Sequence, residues 1–338
     1  MKLSIVDLSP VPNNGDRHQA LYNTLEMAQK AEEWGYERIW LAEHHGTRAM
    51  AGRSPEVMIP FIAANTKKIR VGSGSVLLNH YSPFKVAEVF STLEEMYPGR
   101  IDMGIGRATT GPITDVALQR NRSFQQTSED SAEQLVELLA WMDESFDKKH
   151  PFSQIKVYKN DGIPDFWLLG SSQWSASAAA QLGLRYSFAG FINPAQSYQI
   201  TEYYRREFKP SVHKTGIKKP ELILSLSIYC AYTDEEAVRL SAPAQLMMQQ
   251  LRKTGDTSRM MEDEDTAIKL LGGLPEPEKM LDPRQPPRII AGTPEKLKRW
   301  LTEIAEVYGT DEIMVQCISA NHKARLLSHK LLAESFKK

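Results

Sequence analysis

Tyr36-Glu-Arg-Ile-Trp-Leu-Ala-Glu-His-His45 is the segment from which the fold of this chain can be worked out. Its middle, Ile39–Ala42, is apolar and bulky and follows the helix-stopping Gly35, so it predicts a short buried strand. The strand passes directly into the ionisable run Glu43-His44-His45. In an α/β barrel the carboxyl ends of the strands and the loops after them form the active site, so this run would lie at the mouth.

The same alternation of strand and helix patterns extends along the whole chain. The predicted strands cover residues 3–6, 39–42, 68–73, 100–105, 166–169, 186–189, 222–231 and 311–318. Strands that alternate with amphipathic helices are typical of parallel βα units. Eight units without a composition shift between them predict a single domain over 1–338, an α/β fold of the (β/α)₈ TIM-barrel type with insertions at the carboxyl-end loops.

One long segment, Arg252–Arg288, breaks this pattern with charges, methionines, glycines and prolines. Segments of this length inside a compact domain are usually lids or linkers. Its apolar residues and the methionines just before it would supply a closing face, and Gly272-Gly273 would let it bend. We expect a mobile lid insertion at the mouth, with a disordered surface excursion as the alternative.

Composition narrows the classes of function. The chain has 338 residues, 41% of them apolar and 25% charged, as in ordinary globular proteins. Its formal net charge of −1 predicts no binding of nucleic acid or of an anionic membrane. Cys230 and Cys317 lie in strand-like runs, which favours reduced thiols over a disulfide. Neither a signal peptide nor a membrane-spanning run is predicted, so we expect a cytoplasmic protein.

The run Glu43-His44-His45 allows three interpretations. It could be a polar strand end in which one histidine caps a helix. A metal site is disfavoured because neighbouring residues of a strand point to opposite sides, and no cluster of further ligands is apparent. The third interpretation makes His44 an acid–base or hydrogen-bonding residue, since imidazole titrates near neutral pH.

Arg107 follows a predicted strand in the sequence Gly104-Ile-Gly-Arg107. Glycines at a strand end let a planar ligand approach the backbone, and an arginine can bind phosphate through two hydrogen bonds. The third glycine of the dinucleotide-binding motif is absent. A surface salt bridge is an equally good explanation of Arg107 by itself.

A second phosphate-binding candidate is Gly170-Ser171-Ser172 together with Ser175. Hydroxyls and free backbone N–H groups at a helix start make a ready anion site, whereas N-capping alone would need only one serine. The nearby run Ser73-Gly74-Ser75 could take a flat ring. Combined with Arg107, these segments favour a mononucleotide such as FMN over a dinucleotide, and no metal is expected.

Several of these segments together resemble the bacterial luciferase-like flavin monooxygenases. The matching segments are Ile39–His45, Val71–Leu78, Ser82–Glu88, Pro98–Arg107 and Leu168–Ser172. The resemblance extends over nearly the whole chain. It implies a barrel that binds reduced FMN supplied by a separate flavin reductase and uses oxygen to oxidise an aldehyde or another small organic substrate.

By position, the resemblance implies that His44 lies near the flavin and is important for catalysis. Arg107, Ser172 and Ser175 would hold the phosphate, and the peptide bond of Gly74-Ser75 would be cis beneath the ring. Two departures concern light emission and the substrate rather than flavin binding. Gly106 stands where the light-emitting subunit has cysteine, and Gly190-Phe191 stands where it has tryptophan.

Two other functions remain open at this point. One is hydride transfer without oxygen, using a deazaflavin or tightly bound FMN, and the other is flavin binding without catalysis. The expected partners are the flavin reductase, the small-molecule substrate and a second copy of the chain in a homodimer. The loops at the mouth would decide the substrate.

Overall fold

Eight parallel strands close into a barrel in the computed structural model, which describes residues 1–108, 111–118, 130–155, 157, 162–255 and 259–337. The barrel closes because β10 pairs with both β1 and β8. The barrel strands are β1 (Lys2–Asp7), β2 (Arg38–Leu41), β3 (Arg70–Ser73), β5 (Ile101–Gly106), β6 (Asp165–Gly170), β7 (Arg185–Ala189), β8 (Leu222–Cys230) and β10 (Glu312–Gln316). This confirms the predicted (β/α)₈ barrel.

Two short strands lie outside the barrel circuit. β4 (Val76–Leu77) pairs with the end of β5, and β9 (Ile289–Gly292) pairs with the carboxyl half of β8. The sequence analysis predicted neither strand, since β4 has only two residues and β9 follows the charged, proline-rich segment assigned to the lid. They extend the sheet at the carboxyl end of the barrel.

The helices begin and end where local capping chemistry places them. Gly35 and Gly183 end their helices in the left-handed conformation, and Thr233 and Glu236 form a capping box at the start of α8. The helices are α1 (Arg17–Trp34), α2 (Pro55–Ala64), α3 (Pro83–Met96), α4 (Pro112–Leu118), α5 (Ser131–Asp143), α6 (Gln173–Leu182), α7 (Ser197–Arg206), α8 (Asp234–Thr254), α9 (Glu264–Leu271), α10 (Pro294–Tyr308) and α11 (His322–Phe336).

A layer of buried charges fills the amino-terminal end of the barrel. Arg38 Nη1 lies 2.8 Å from Asp102 Oδ2, and Arg38 Nε lies 2.7 Å from Glu312 Oε1. Trp40 Nε1 also donates to Asp102, at 2.8 Å. Burial would raise the pKa of Asp102, but Arg38 and Arg70 hold it below its usual value. The layer lies at this end because Arg38, Arg70 and Glu312 are the first residues of β2, β3 and β10.

An apolar cluster occupies the carboxyl half of the barrel, and we call it the mouth cluster. Its buried members include Val6, Leu8, Trp40, Ala42, Met50, Tyr229, Met261, Ala291, Cys317 and Ile318. Most of these residues lie at the carboxyl ends of strands or just after them. The floor and wall of the mouth are therefore largely apolar.

The segment 252–288, described except for residues 256–258, contains helical structure. Its first residues complete the last turn of α8, and α9 forms within it. Met261 is only 3% exposed and belongs to the mouth cluster. Arg288 Nη1 donates to the carbonyl oxygens of Phe191 and Ile192, which follow β7. The segment thus lies against the mouth, and its mobility stays a prediction.

Within the described part of the chain, every helix is too short or too polar to span a membrane.

Candidate active site

Four neighbouring strands bring most of the predicted site residues to one arc of the barrel rim. β2, β3, β5 and β6 are consecutive in the sheet, and they pair in parallel register. His44 follows β2, Gly74-Ser75 follows β3, Arg107 follows β5 and Ser171-Ser172 follows β6. Residues that are far apart in sequence share one edge because all parallel strands end on the same side.

His44 carries a buried nitrogen that the protein leaves unsatisfied. Its backbone N–H donates to the carbonyl of Gly52 at 3.0 Å, which fixes the residue against the loop after β2. Its Nδ1 atom is buried and has no hydrogen-bond partner among the described residues. Burial, aided by the neighbouring His45, lowers the pKa of His44 to about 4. The imidazole is therefore neutral at neutral pH and offers one ring nitrogen to a ligand.

Glu43 binds three groups at the end of β2. Its Oε1 atom lies 2.6 Å from His45 Nε2 and 2.7 Å from the hydroxyl oxygen of Tyr81, while Oε2 accepts from Leu77 N at 2.8 Å. His45 therefore turns back to Glu43 instead of capping a helix. In the described ranges, no group of three or more His, Cys, Asp or Glu side chains is arranged to hold a metal ion.

The peptide bond between Gly74 and Ser75 is cis, as the resemblance implied. Ser73, by contrast, does not present its hydroxyl to the mouth. The residue is fully buried, and its Oγ donates to the carbonyl of Gly104 at 2.8 Å and accepts from its N–H at 3.0 Å. The Ser73 side chain joins β3 to β5, so only the backbone of Ser73 could contact a cofactor.

Packing within the sheet leaves no space for a side chain at the two glycines of β5. A Cβ on Gly104 would collide with the carbonyl oxygen of Ser73, and one on Gly106 would collide with Ser75 Oγ. Ser75 therefore occupies the space that a side chain at position 106 would need. A cysteine at position 106 would therefore require Ser75 to move.

The amino terminus of α6 offers unpaired donors. Ser172 is its N-cap residue and makes no side-chain capping bond, and the hydroxyls of Ser171 and Ser172 have no hydrogen-bond partner in the described structure. Ser175 differs, because it is only 3% exposed and its Oγ donates to Ser172 O at 2.8 Å. The Tyr186 hydroxyl lies 3.0 Å from the same Oγ. The Ser175 hydroxyl is therefore already engaged, and its side chain leaves no room for a Cβ on Gly170.

Arg107 stacks on Trp174, a residue to which the sequence analysis assigned no role. The guanidinium carbon lies 4.4 Å from the centre of the indole ring. In the described residues Arg107 has no carboxylate partner, so the structure does not support the surface salt bridge. Trp174 is the second residue of α6, so the stack holds the guanidinium beside the unpaired donors of this helix start. The sequence feature that could have indicated this stack is the tryptophan two residues after Ser172.

Known proteins resemble this chain over almost its whole length. A family model described as luciferase-like monooxygenase matches residues 1–311. A luciferase-like monooxygenase of Escherichia coli is 35% identical over 97% of this chain and 95% of its own length. The N-acetyl-S-alkylcysteine monooxygenase of Bacillus subtilis is 33% identical over 99% and 98%, respectively.

Solved structures share the whole architecture. The crystal structure of apo-MsnO8 superposes with a TM-score of 0.87 at 38% identity and covers 99% of this chain and 98% of its own. More distant structures show the fold alone. They include the oxygenating constituent of a Pseudomonas putida diketocamphane monooxygenase in complex with FMN, with a TM-score of 0.69, 18% identity and 99% and 97% coverage. An F420-dependent secondary alcohol dehydrogenase has a TM-score of 0.66, 16% identity and 100% and 99% coverage.

Proposed function

We propose that this chain, which belongs to the luciferase-like monooxygenase family and is an oxidoreductase, binds reduced FMN at the β2–β6 arc and oxidises a small organic substrate with oxygen. One observation carries the proposal. A stacked arginine and an uncapped helix start lie on the same rim as a neutral histidine with an unsatisfied nitrogen. The first pair suits a phosphate, and the histidine suits the reacting end of a ligand.

The phosphate would be held by Arg107, by the Ser171 and Ser172 hydroxyls and by the first N–H groups of α6. The amino end of a helix favours negative charge, and these donors have no other partner within the described ranges. Arg107 is already held by Trp174, so little side-chain freedom is lost on binding. Ser175 contributes by fixing the first turn through Ser172 O. The residues present therefore fit a phosphomonoester.

The ring would lie along the backbone of Gly74-Ser75, beside the mouth cluster. Apolar walls exclude water, which strengthens every polar interaction within the site. When bound, reduced FMN supplies the electrons with which oxygen is activated. The contribution of His44 is a neutral ring nitrogen that can hold a hydrogen bond to the reacting groups or accept a proton from them at neutral pH.

A separate flavin reductase completes the proposal. The Pseudomonas relative of this fold is described as the oxygenating constituent of its monooxygenase. A deazaflavin is the alternative cofactor, since a dehydrogenase of the same fold uses F420. Both cofactors carry phosphate, so the helix start alone does not distinguish them.

The test is to mix the protein with reduced FMN without oxygen and then admit oxygen. Binding in the site should make the oxidised FMN spectrum return at a rate that differs from that of free FMN, and Arg107→Ala should abolish the difference. Reoxidation at the rate of free FMN with the wild-type protein, together with reduction of a deazaflavin by an alcohol, would replace this proposal with the alternative.

A further inference from the structure

A cavity lined by charged residues lies beside the chain that follows β8. It has a volume of about 330 Å³ and lies between the carboxyl-terminal part of α8 and the chain that leads into β9. Its lining residues include Gln245, Met248, Arg252, Lys253, Arg288 and Ile289. This volume is near the lower end of the range for small-molecule sites, which is about 300–1,000 Å³.

The cavity carries an excess of positive charge. Three cations line it, and the single carboxylate is that of Glu278. Both oxygens of Glu278 are engaged by backbone, since they accept from the N–H groups of Arg288 and Ile289 at 3.2 and 3.3 Å. Among the described residues no carboxylate forms an ion pair with Arg252. Burial lowers the pKa of Arg288, and Arg252 lowers it further. Glu278 opposes this shift, and the lining of the cavity keeps a net positive charge.

Helix capping explains only part of this arrangement. Arg252 and Lys253 lie in the last turn of α8, where cations stabilise the helix dipole. Arg288 comes from a different segment and is held in place by two carbonyl oxygens, those of Phe191 at 2.7 Å and Ile192 at 2.9 Å. Only one nitrogen, Nη1, makes these bonds. The other guanidinium nitrogens of Arg288, Nε and Nη2, have no hydrogen-bond partner in the described part of the chain.

One side of the cavity is apolar and borders the mouth cluster. Met248 packs against the mouth cluster, and Ile289 is a buried member of it. Ile289 also pairs with Ser227 of β8, so it lies at the carboxyl end of the barrel. A ligand in this cavity would have a charged end at the arginines and an apolar end directed along the mouth cluster.

We propose that this cavity recognises the acid group of the organic substrate, and that the substrate is a small carboxylate with an apolar portion. Arg252 and Arg288 bind the carboxylate, and Met248 and Ile289 contact the apolar portion. The assignment of the ligand as substrate rests on the proposed function. Binding of the carboxylate itself requires no flavin, so the carboxylate site and the proposed function can be tested separately.

The experiment is calorimetric titration of the flavin-free protein with hexanoate, and with hexanamide as the neutral molecule of the same shape. Hexanoate should bind at one site, and hexanamide at least about tenfold more weakly, because a charge-assisted pair is lost. Arg252→Gln should weaken hexanoate by about tenfold or more. Arg252 is exposed, so this variant should fold normally. Inorganic phosphate, titrated in parallel, should bind independently of Arg252.

Arg299→Gln is the matched control, since it removes the same charge from an exposed position on α10, on the outside of the barrel. It should leave hexanoate affinity unchanged. Equal affinities for hexanoate and hexanamide, or equal losses in the Arg252 and Arg299 variants, would overturn the assignment of the cavity. Specific hexanoate binding in a protein that fails to bind FMN would instead overturn the proposed function and leave a carboxylate site.

Discussion

His45 Nε2 lies 2.6 Å from Glu43 Oε1, so these two residues at the end of β2 are held together. The same carboxylate accepts from Leu77 N and from the Tyr81 hydroxyl. Glu43 therefore connects the end of β2, which carries His44, to the chain that follows the cis peptide. Two parts of the proposed flavin site are positioned by one buried carboxylate.

Glu43→Gln should destabilise the fold by about 1–3 kcal/mol. The glutamine amide has one acceptor oxygen in place of two, so one buried donor loses its partner. Tyr81→Phe should cost less, since it removes a single bond. Urea unfolding measures both, with the exposed Glu303→Gln as the control. Unfolding midpoints equal to that of the control variant would show that the carboxylate contributes nothing.

Arg107→Ala should weaken FMN far more than riboflavin, which lacks the phosphate. Loss of a charge-assisted pair corresponds to about 1.5–3 kcal/mol, or roughly 10- to 150-fold in affinity. Fluorescence titration of both flavins measures the difference, and Arg206→Ala on the exposed end of α7 is the control. Losses of the same size for FMN and riboflavin would remove Arg107 from the phosphate site.

His44→Asn should retain FMN binding and lose substrate oxidation, whereas His45→Asn should have a milder effect on turnover. The variant should also change the pH dependence of stability. Because the pKa of His44 is lowered to about 4, the unfolded chain binds the extra proton between that pH and the ordinary value near 6.5. Native stability is therefore lost as the pH falls through this window, by up to about 3 kcal/mol.

Urea unfolding at pH 7 and pH 4.5 measures this loss. All other ionisable groups are the same in both proteins, so the difference between wild type and His44→Asn isolates residue 44. The variant should lose less stability on acidification than the wild type. Parallel curves, or full oxidation activity in the variant, would contradict the assignment.

Gly106→Cys should destabilise the protein by about 1–3 kcal/mol through overpacking, since the new Cβ would meet Ser75 Oγ. The double variant Gly106→Cys with Ser75→Ala should recover part of the loss, because the colliding oxygen is gone. Thermal unfolding of the wild type and the single and double variants measures the coupling. Additive effects of the two changes would mean that Ser75 is not the obstacle.

The segment 252–288 should be cleaved readily by trypsin in the free protein and more slowly with reduced FMN and hexanoate present, if it closes over the mouth. Ligands that bind only the native, closed state oppose local opening. Mass spectrometry of early fragments locates the cuts. Identical cleavage rates with and without both ligands would leave the segment a fixed insertion rather than a lid.

Much of the barrel was predictable because its signals are local. Strand and helix periodicity predicted the eight barrel strands, and Gly35 predicted the end of α1 correctly. The missed elements, β4, β9 and α9, are short. Whether such short segments form depends on a partner elsewhere in the chain, and periodicity carries no information about that partner.

The candidate site divides in the same way. The sequence by itself determined which residues follow the strands, and parallel strands bring their ends to one rim, so His44, Arg107 and Ser171-Ser172 were found together. The cis bond at Gly74–Ser75 came from family resemblance. Only the tertiary structure decided that the Ser73 and Ser175 hydroxyls are engaged internally and that Arg107 stacks on Trp174. The cavity between Arg252 and Arg288 likewise required the fold. Whether a hydroxyl already has a hydrogen-bond partner, and whether two cations lie near each other, depends on contacts between segments that are distant in sequence.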